Sequence, residues 1–322
     1  MIKLPSLIKQ IPTWPPGELR ERACPFCKKG GDLLFERADL LNIRKCDHCR
    51  ALFISPAPSQ NAIDRLYKSY YRDFRKNIQW QSPESANRIR ASDPYLDFRN
   101  EAILSLMKKE RGNALDIGFG RGNNLANLHK MGFNATGVDP DSDSVQFAKK
   151  MLLIPDVVEG GIEKLSAEKK FNLITLYDLI EHPLDPFALL QECVLRLKAG
   201  GLLAIFTPNA TAAFKDTQPI LFQIDFEHMQ YLSAQTMALL ASKLNLAIVH
   251  LEQRGFPCIP QEEGNNAGAT LAIASYLKSI YRRLYAFPVV QKANRMRHAL
   301  MAQNSIHDLG TYNLFCVFQN MG

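Results

Sequence analysis

Three groups of residues in this 322-residue chain have the types and spacing to do chemistry. The first is Cys24-Pro25-Phe26-Cys27 with Cys46-Asp47-His48-Cys49, the two knuckles separated by 18 residues. Knuckles at that separation can wrap four thiolates tetrahedrally around one zinc ion. With Cys24, Cys27, Cys46 and Cys49 filling the coordination sphere, no position stays open to a substrate, so the metal is expected to be structural. His48 then reads as an exposed knuckle residue, and Cys193, Cys258 and Cys316 as small core residues.

The second group is Ala114-Leu115-Asp116-Ile117-Gly118-Phe119-Gly120-Arg121-Gly122. An apolar run passes into a glycine turn, and a helical pattern starts directly after it. Glycines there admit a ligand close to the backbone, beside the free amides of a helix start. The dinucleotide turn GxGxxG is not matched, because the third glycine comes one residue early and position 123 is Asn. Asp116 is placed to meet a cationic group such as the amino group of a methionine moiety. Asp139 follows 21 residues after Gly118 and suits both hydroxyls of a ribose. Together they point to a nucleoside ligand with a free ribose.

The third group is His182 with Glu227 and His228. A histidine titrates in the range useful for taking a proton from O–H or C–H. The plainer readings are a packing or loop-bonding role for His182 and an anchor before the next helix for His228. Glu227 then serves to orient His228.

The elements that must position these groups alternate. Apolar runs suited to buried strands lie at 113–118, 134–139, 171–177 and 201–207, with a weaker one at 155–159. Helical stretches fall at about 122–131, 142–151 and 186–198, followed by a helix at 233–243 and strands at 246–253 and 311–319. Strand–helix alternation of this kind implies a parallel sheet covered on both faces. Asp93 is placed to cap a helix running to about Lys109, with Pro94 at its first position. The expected organisation is a leader over 1–20, the cysteine module over 21–60 and a helical connector over 61–112. The core takes 113–258 and 309–322, and a helical insertion takes 259–308. Between Gly264 and His307 that insertion has six Lys or Arg and no Asp or Glu. It reads as a lid or subunit interface with a solvated basic face, or as an amphipathic surface for a membrane or an anionic substrate.

Residues 113–319 resemble the class I S-adenosylmethionine-dependent methyltransferases. The first motif resembles LDIGFGRG and the second TGVDP. The resemblance implies an α/β, Rossmann-like seven-stranded sheet with the last strand antiparallel, and S-adenosylmethionine as cofactor. It implies a cofactor site made of Asp116, Gly118, Phe119, Gly120, Gly122, Asp139, Pro140, Tyr177 and Asp178, with Gly161 and Ile162 beside the adenine. The segment Asp178-Leu179-Ile180-Glu181-His182-Pro183-Leu184-Asp185-Pro186 is similar to the small-molecule branch, which includes quinone-biosynthesis O-methyltransferases and sugar methyltransferases. The cysteine module followed by Leu52-Phe53-Ile54-Ser55-Pro56 resembles the N-terminal zinc ribbon of the sugar C-methyltransferases, without their C-terminal domain. In those relatives a Tyr-x-Glu-His motif occupies the place of Asp225-Phe226-Glu227-His228. That placement implies proton handling by Glu227, His228 and His182. Asp225 stands where those relatives have tyrosine.

Bulk properties set the remaining bounds. The chain is 46% hydrophobic with a net charge of +7, from 39 Lys plus Arg against 32 Asp plus Glu. That surplus permits an anionic partner without requiring one. No apolar run reaches the roughly 18–20 residues of a membrane span, and the first residues have no secretory pattern, so a cytoplasmic location is expected. The small-molecule acceptor reading competes with an RNA-modifying one in which ribbon and insertion hold phosphates, and with a binding protein that retains the fold. The Asn- or Asp-Pro-Pro-aromatic turn of adenine amino methyltransferases is missing, as is a cysteine nucleophile near strands four and five. Nucleic acid is therefore the less favoured acceptor. The acceptor atom and the oligomeric state are left open.

Overall fold

The computed structural model of the chain describes residues 10–69, 81–107, 111–211, 225–254 and 312–322. The insertion expected at 259–308, the first part of the leader and Cys258 lie outside the described residues. In chain order the strands are β1 (Leu19–Arg20), β2 (Gly31–Glu36), β3 (Asn42–Cys46), β4 (Leu52–Ile54) and β5 (Ala57–Pro58). Helices α1 (Gln60–Ser69), α2 (Pro83–Ala91) and α3 (Phe98–Leu106) lead to β6 (Asn113–Ile117), α4 (Asn123–Lys130) and β7 (Asn134–Asp139). Then come α5 (Ser142–Phe147), β8 (Val157–Glu159), β9 (Phe171–Tyr177), α6 (Pro186–Arg196) and β10 (Leu197–Pro208). β11 (Gln230–Tyr231), α7 (Ala234–Leu244), β12 (Leu246–Arg254) and β13 (Asn313–Asn320) complete the order.

Seven strands form one sheet in the order β12-β13-β10-β9-β6-β7-β8, with β13 antiparallel to both neighbours and the run from β10 to β8 parallel. This is the α/β arrangement expected from the alternation. Period-two alternation splits its core in two. Leu115, Ile117, Ile174, Leu176, Leu203, Ile205, Leu314 and Cys316 point to one face, against Leu190 and Cys193 of α6 and Met237 and Leu240 of α7. Ala114, Leu173, Leu202, Ala204, Phe315 and Val317 point to the other, against Ile89, Ile103, Leu125, Leu128 and Val145 from α2 through α5. Cys193 and Cys316 are fully buried core thiols, as expected.

The cysteine module contributes β2, β3 and β4 to a second, four-stranded sheet, and the core supplies its edge. β11 pairs antiparallel with β4, Gln230 opposite Phe53 and Tyr231 opposite Leu52. Immediately afterwards Leu232 bridges to Asn209 beyond β10. Ser233 caps α7 through a reciprocal pair of bonds with Thr236. One short segment thus joins both sheets and starts a core helix.

Two helices differ from the expected spans. The helix expected from Asp93 to Lys109 is divided into a 3-10 turn, Pro94–Leu96, and α3. Asp93 accepts from the Tyr95 amide, and Asp97 caps again by accepting from the Arg99 amide, so each carboxylate starts its own turn. The stretch expected at 142–151 ends its α-helical part at Phe147 and continues as a π-helical turn, Ala148–Leu152. The expected irregular leader contains a 3-10 turn, Pro16–Glu18, and β1, which pairs with β5. Among the described residues no helix is long and apolar enough to cross a membrane.

Candidate active site

The strand order reverses at β6, which has β7 on one side and β9 on the other, and the glycine turn leaves its carboxyl end at that point. Open α/β sheets bind ligands there. Gly118, Gly120 and Gly122 have φ of +66°, +49° and +74°, the left-handed region that glycine enters without strain. A Cβ on Gly118 would meet Leu179 at 2.8 Å and one on Gly122 would meet Leu152 at 2.6 Å. At Gly120 it would meet nothing within 4 Å, so the middle of the turn faces open space. The Phe119 ring is buried and lies against Gly137 of β7, which leaves its backbone as the part offered to a ligand.

Two buried carboxylates flank the turn. Asp116 is 2% exposed; its Oδ1 accepts from Thr175 Oγ1 at 2.7 Å and Asn124 Nδ2 at 2.9 Å, while Oδ2 is buried with no hydrogen-bond partner. Asp139 accepts from the Gly120 amide at 2.7 Å and the Asp141 amide at 2.9 Å. Burial pushes both carboxyls up to about 6, against the pull of these hydrogen bonds. A buried anion with an orphaned oxygen at a ligand-binding edge is suited to a cationic ligand group.

The remaining residues expected at the cofactor site spread around this edge. Pro140 is exposed beyond β7. Gly161 is half-buried, its amide donating to Glu163 Oε1 at 3.0 Å, and Ile162 is packed in the core. Tyr177, at the end of β9, packs edge-on against Phe206 and Phe315, and its hydroxyl is buried without a hydrogen-bond partner. Asp178 is exposed, with φ of +51°.

Sequence reasoning missed Arg99. Its guanidinium lies 4.4 Å from the Tyr177 ring centroid and 4.6 Å from that of Phe206, held by Asp97 at 2.6 Å. Its charge also acts on Asp116 and Asp178. A signal was present: a cation in the first turn of a helix opposes the helix dipole and needs another reason to be there.

His182, Glu227 and His228 do come together. The His182 Nε2 lies 3.0 Å from the Asp178 carbonyl, so this nitrogen donates, and Nδ1 accepts from the Tyr67 hydroxyl at 2.7 Å. The His182 and His228 rings stack edge-on at 4.9 Å. Burial, and then the neighbouring His228, push His182 down to about 4, leaving it neutral at physiological pH. Glu227 is buried beside the pair, and its carbonyl lies 3.3 Å from His182 Nδ1. Asp225 sits 3.7 Å from His228 Nδ1 and accepts from the Tyr312 hydroxyl at 3.2 Å. Glu181 is fully buried; Thr207 donates to Oε2 at 2.9 Å and Oε1 has no hydrogen-bond partner. Burial, and then Asp178, raise its carboxyl well above the usual range. Glu181, His182 and His228 also bring one metal-ligating atom each within 4.8 Å of one another.

The four cysteines converge as their spacing requires. All Sγ atoms lie within 4.8 Å of one another, with Cys24 and Cys49 at 3.5 Å and Cys27 and Cys46 at 3.3 Å. Tetrahedral zinc at its usual 2.3 Å bond length separates sulfurs by about 3.8 Å, so the cluster is compatible with structural zinc. His48 is exposed. The knuckles are bonded to the core: Ser233 and Thr236 hydroxyls both donate to the Cys49 carbonyl at 3.0 Å, and Lys243 donates to the Phe26 carbonyl at 2.9 Å.

With this geometry in place, the comparisons with known proteins are informative. A family model described as a methyltransferase domain matches residues 88–251. The ubiquinone biosynthesis O-methyltransferase of Colwellia psychrerythraea is 31% identical over 102 residues, covering 30% of this chain and 41% of the relative. The protein of the same name from Xanthomonas axonopodis pv. citri is 27% identical over 143 residues, covering 42% and 59%. The chain spans about half the length of the curated relatives it matches. A solved S-adenosylmethionine-dependent methyltransferase from Archaeoglobus fulgidus is 21% identical, over 80% of this chain and 99% of that one, with a TM-score of 0.47. The plantazolicin methyltransferase BpumL, solved with S-adenosylhomocysteine, is 15% identical over 81% and 98%, also with a TM-score of 0.47. The chain belongs to the methyltransferase-domain family, in the class I S-adenosylmethionine-dependent superfamily.

Proposed function

We propose that this chain transfers the methyl group of S-adenosylmethionine to an oxygen of a small-molecule acceptor. The observation that carries the reading is the pairing of two sites at one sheet edge. Asp116 and Asp139 flank the glycine turn, and the His182–His228 pair stands beyond the end of β9. The cofactor supplies a sulfonium methyl group for in-line displacement, so most of the acceleration comes from positioning. The residues fit such a ligand. Asp116 offers its orphaned Oδ2 to an ammonium group, Arg99 its guanidinium to a carboxylate, and Asp139 its carboxylate to ribose hydroxyls. Gly120 leaves room for the ligand to approach the backbone. Gly161 and Ile162 are assigned to the adenine side, and Phe119, Pro140, Tyr177 and Asp178 to the walls.

On the acceptor side Nδ1 is the basic nitrogen of the neutral His182, and Tyr67 is assigned the relay: its hydroxyl takes the proton leaving an acceptor hydroxyl as it passes its own proton to Nδ1. His228 and Glu227 orient His182. Relatives named for ubiquinone-biosynthesis O-methylation support oxygen on a small molecule as the acceptor. The zinc ribbon is assigned a structural role. Titration of the zinc-loaded protein with S-adenosylhomocysteine, followed by label transfer from S-adenosylmethionine to a panel of phenolic and sugar hydroxyl acceptors, tests the reading. Saturable binding near one equivalent and label on oxygen are expected; failure to bind removes it.

A further inference from the structure

The ribbon does more than pack beside the core, because one of its side chains is bonded into the turn that carries His228. Arg37 follows β2 and is completely buried, 1% exposed. Its Nε donates to Asp39 Oδ1 at 2.8 Å, and one terminal nitrogen donates to Asp39 Oδ2 at 2.7 Å. That same nitrogen donates to the Phe226 carbonyl at 3.1 Å. The other terminal nitrogen donates to the Asp225 carbonyl at 2.9 Å and the His228 carbonyl at 2.7 Å. A guanidinium has five N–H donors in a rigid fork, and these five bonds use all of them. Asp39 is itself fixed by Trp14, whose Nε1 donates to Oδ2 at 2.7 Å.

We infer that Arg37 is a positioning residue: the zinc ribbon reaches into the core and sets the 225–228 turn, and through it the placement of His228 against His182. The inference rests on the proposed role of that histidine pair. Geometry favours positioning over simple packing. A buried cation needs one partner for its charge, and Asp39 already meets that need with two parallel bonds. The three further bonds all go to main-chain carbonyls of one four-residue turn, which the His228 amide also closes by donating to the Asp225 carbonyl at 3.0 Å. Side-chain bonds to three carbonyls of one turn fix backbone direction, and the His228 ring, 4.9 Å from His182, follows the backbone. Lysine at this position keeps the charge but offers a compact ammonium that cannot span five acceptors.

The test compares the full-length, zinc-loaded wild type with Arg37→Lys by amide hydrogen exchange and by 15N resonances of the histidine rings. Arg44→Lys is the control, because among the described residues Arg44 donates to ribbon carbonyls, those of Ser55 and Gly31. Exchange over 225–231 is expected to speed up by about tenfold or more in Arg37→Lys, with shifted His228 and His182 ring resonances. Zinc content, and protection over 113–139, are expected to stay as in the wild type. Unchanged exchange at the turn with unchanged ring resonances overturns the inference, and so does loss of protection spread evenly over ribbon and core. Trp14→Phe is the milder variant if Arg37→Lys fails to fold. It removes the indole bond to Asp39 and trims a ring packed on the ribbon's apolar cluster, and should give a smaller change at the same turn; no change there counts against the inference. Binding of S-adenosylhomocysteine by the wild type is read separately, so failure of the methyltransferase reading is not mistaken for failure of the clamp.

Discussion

Asp116→Asn separates stability from ligand binding, because the two respond in opposite directions. Oδ1 of Asp116 accepts two hydrogen bonds and Oδ2 accepts none, so an asparagine oriented with its oxygen in the Oδ1 place keeps every bond present. Only the buried charge is lost. Burial raises this carboxyl from 3.8 to about 6, and its protonation therefore favours the folded state. That stabilisation is fully present below pH 4 and is lost as pH rises through 6, about 3 kcal/mol for a shift of this size. At pH 7 the variant escapes that cost, although its new amide nitrogen, buried without an acceptor, gives back roughly 1–3 kcal/mol. A net gain of about 1 kcal/mol corresponds to a Tm about 2 °C higher. Binding should fall instead: losing a charge-assisted bond of roughly 1.5–3 kcal/mol weakens S-adenosylhomocysteine about 10- to 100-fold. Thermal unfolding at pH 5 and pH 7 together with calorimetric titration reads both effects. The stability gain should be smaller at pH 5. A variant several degrees less stable at pH 7 would refute the reasoning about the orphaned charge. Undiminished binding would refute the assignment of Asp116 to the ligand.

Other consequences can be checked more briefly. Arg99→Met should weaken S-adenosylhomocysteine by about tenfold, and by less for decarboxylated analogues, as read by the same titration. Ser233→Ala removes both the α7 cap and a bond to the Cys49 carbonyl, and is expected to cost about 1–2 kcal/mol in urea unfolding. Because His182 is depressed to about 4, its neutral form carries stability that is present above about pH 6.5 and declines as pH falls toward 4. Ring 15N shifts should accordingly show no protonation of His182 between pH 6 and 8. Metal analysis should find one zinc per chain, and Cys49→Ser should lower that content and reduce amide protection at the start of α7, to which the Cys49 carbonyl is bonded.

Much of the fold is legible locally. Strands β6, β7, β9, β10 and β13 lie where apolar runs place them, because a strand covered on both faces of the sheet needs such a run. The cysteine spacing likewise announces four converging thiols, since a knuckle is a local turn. Helix ends were less legible. Asp97 competes with Asp93 as a cap, and which one starts the long helix depends on how that helix packs on the sheet.

What only the tertiary structure decides is which distant side chains meet. Nothing in the residues near Tyr67 indicates a bond to His182, 115 positions away, or that Asp116 keeps one oxygen unpartnered under the sheet edge. The ribbon's resemblance to a separate module hides its joining to the core, where β11 extends its sheet and Arg37 reaches carbonyls 188 to 191 positions further on. Residue types and short spacings determine elements and knuckles because those contacts close within a few residues. Burial, charge partners and the facing of the two histidines belong to contacts between elements, and these exist only once the sheet has set the distances.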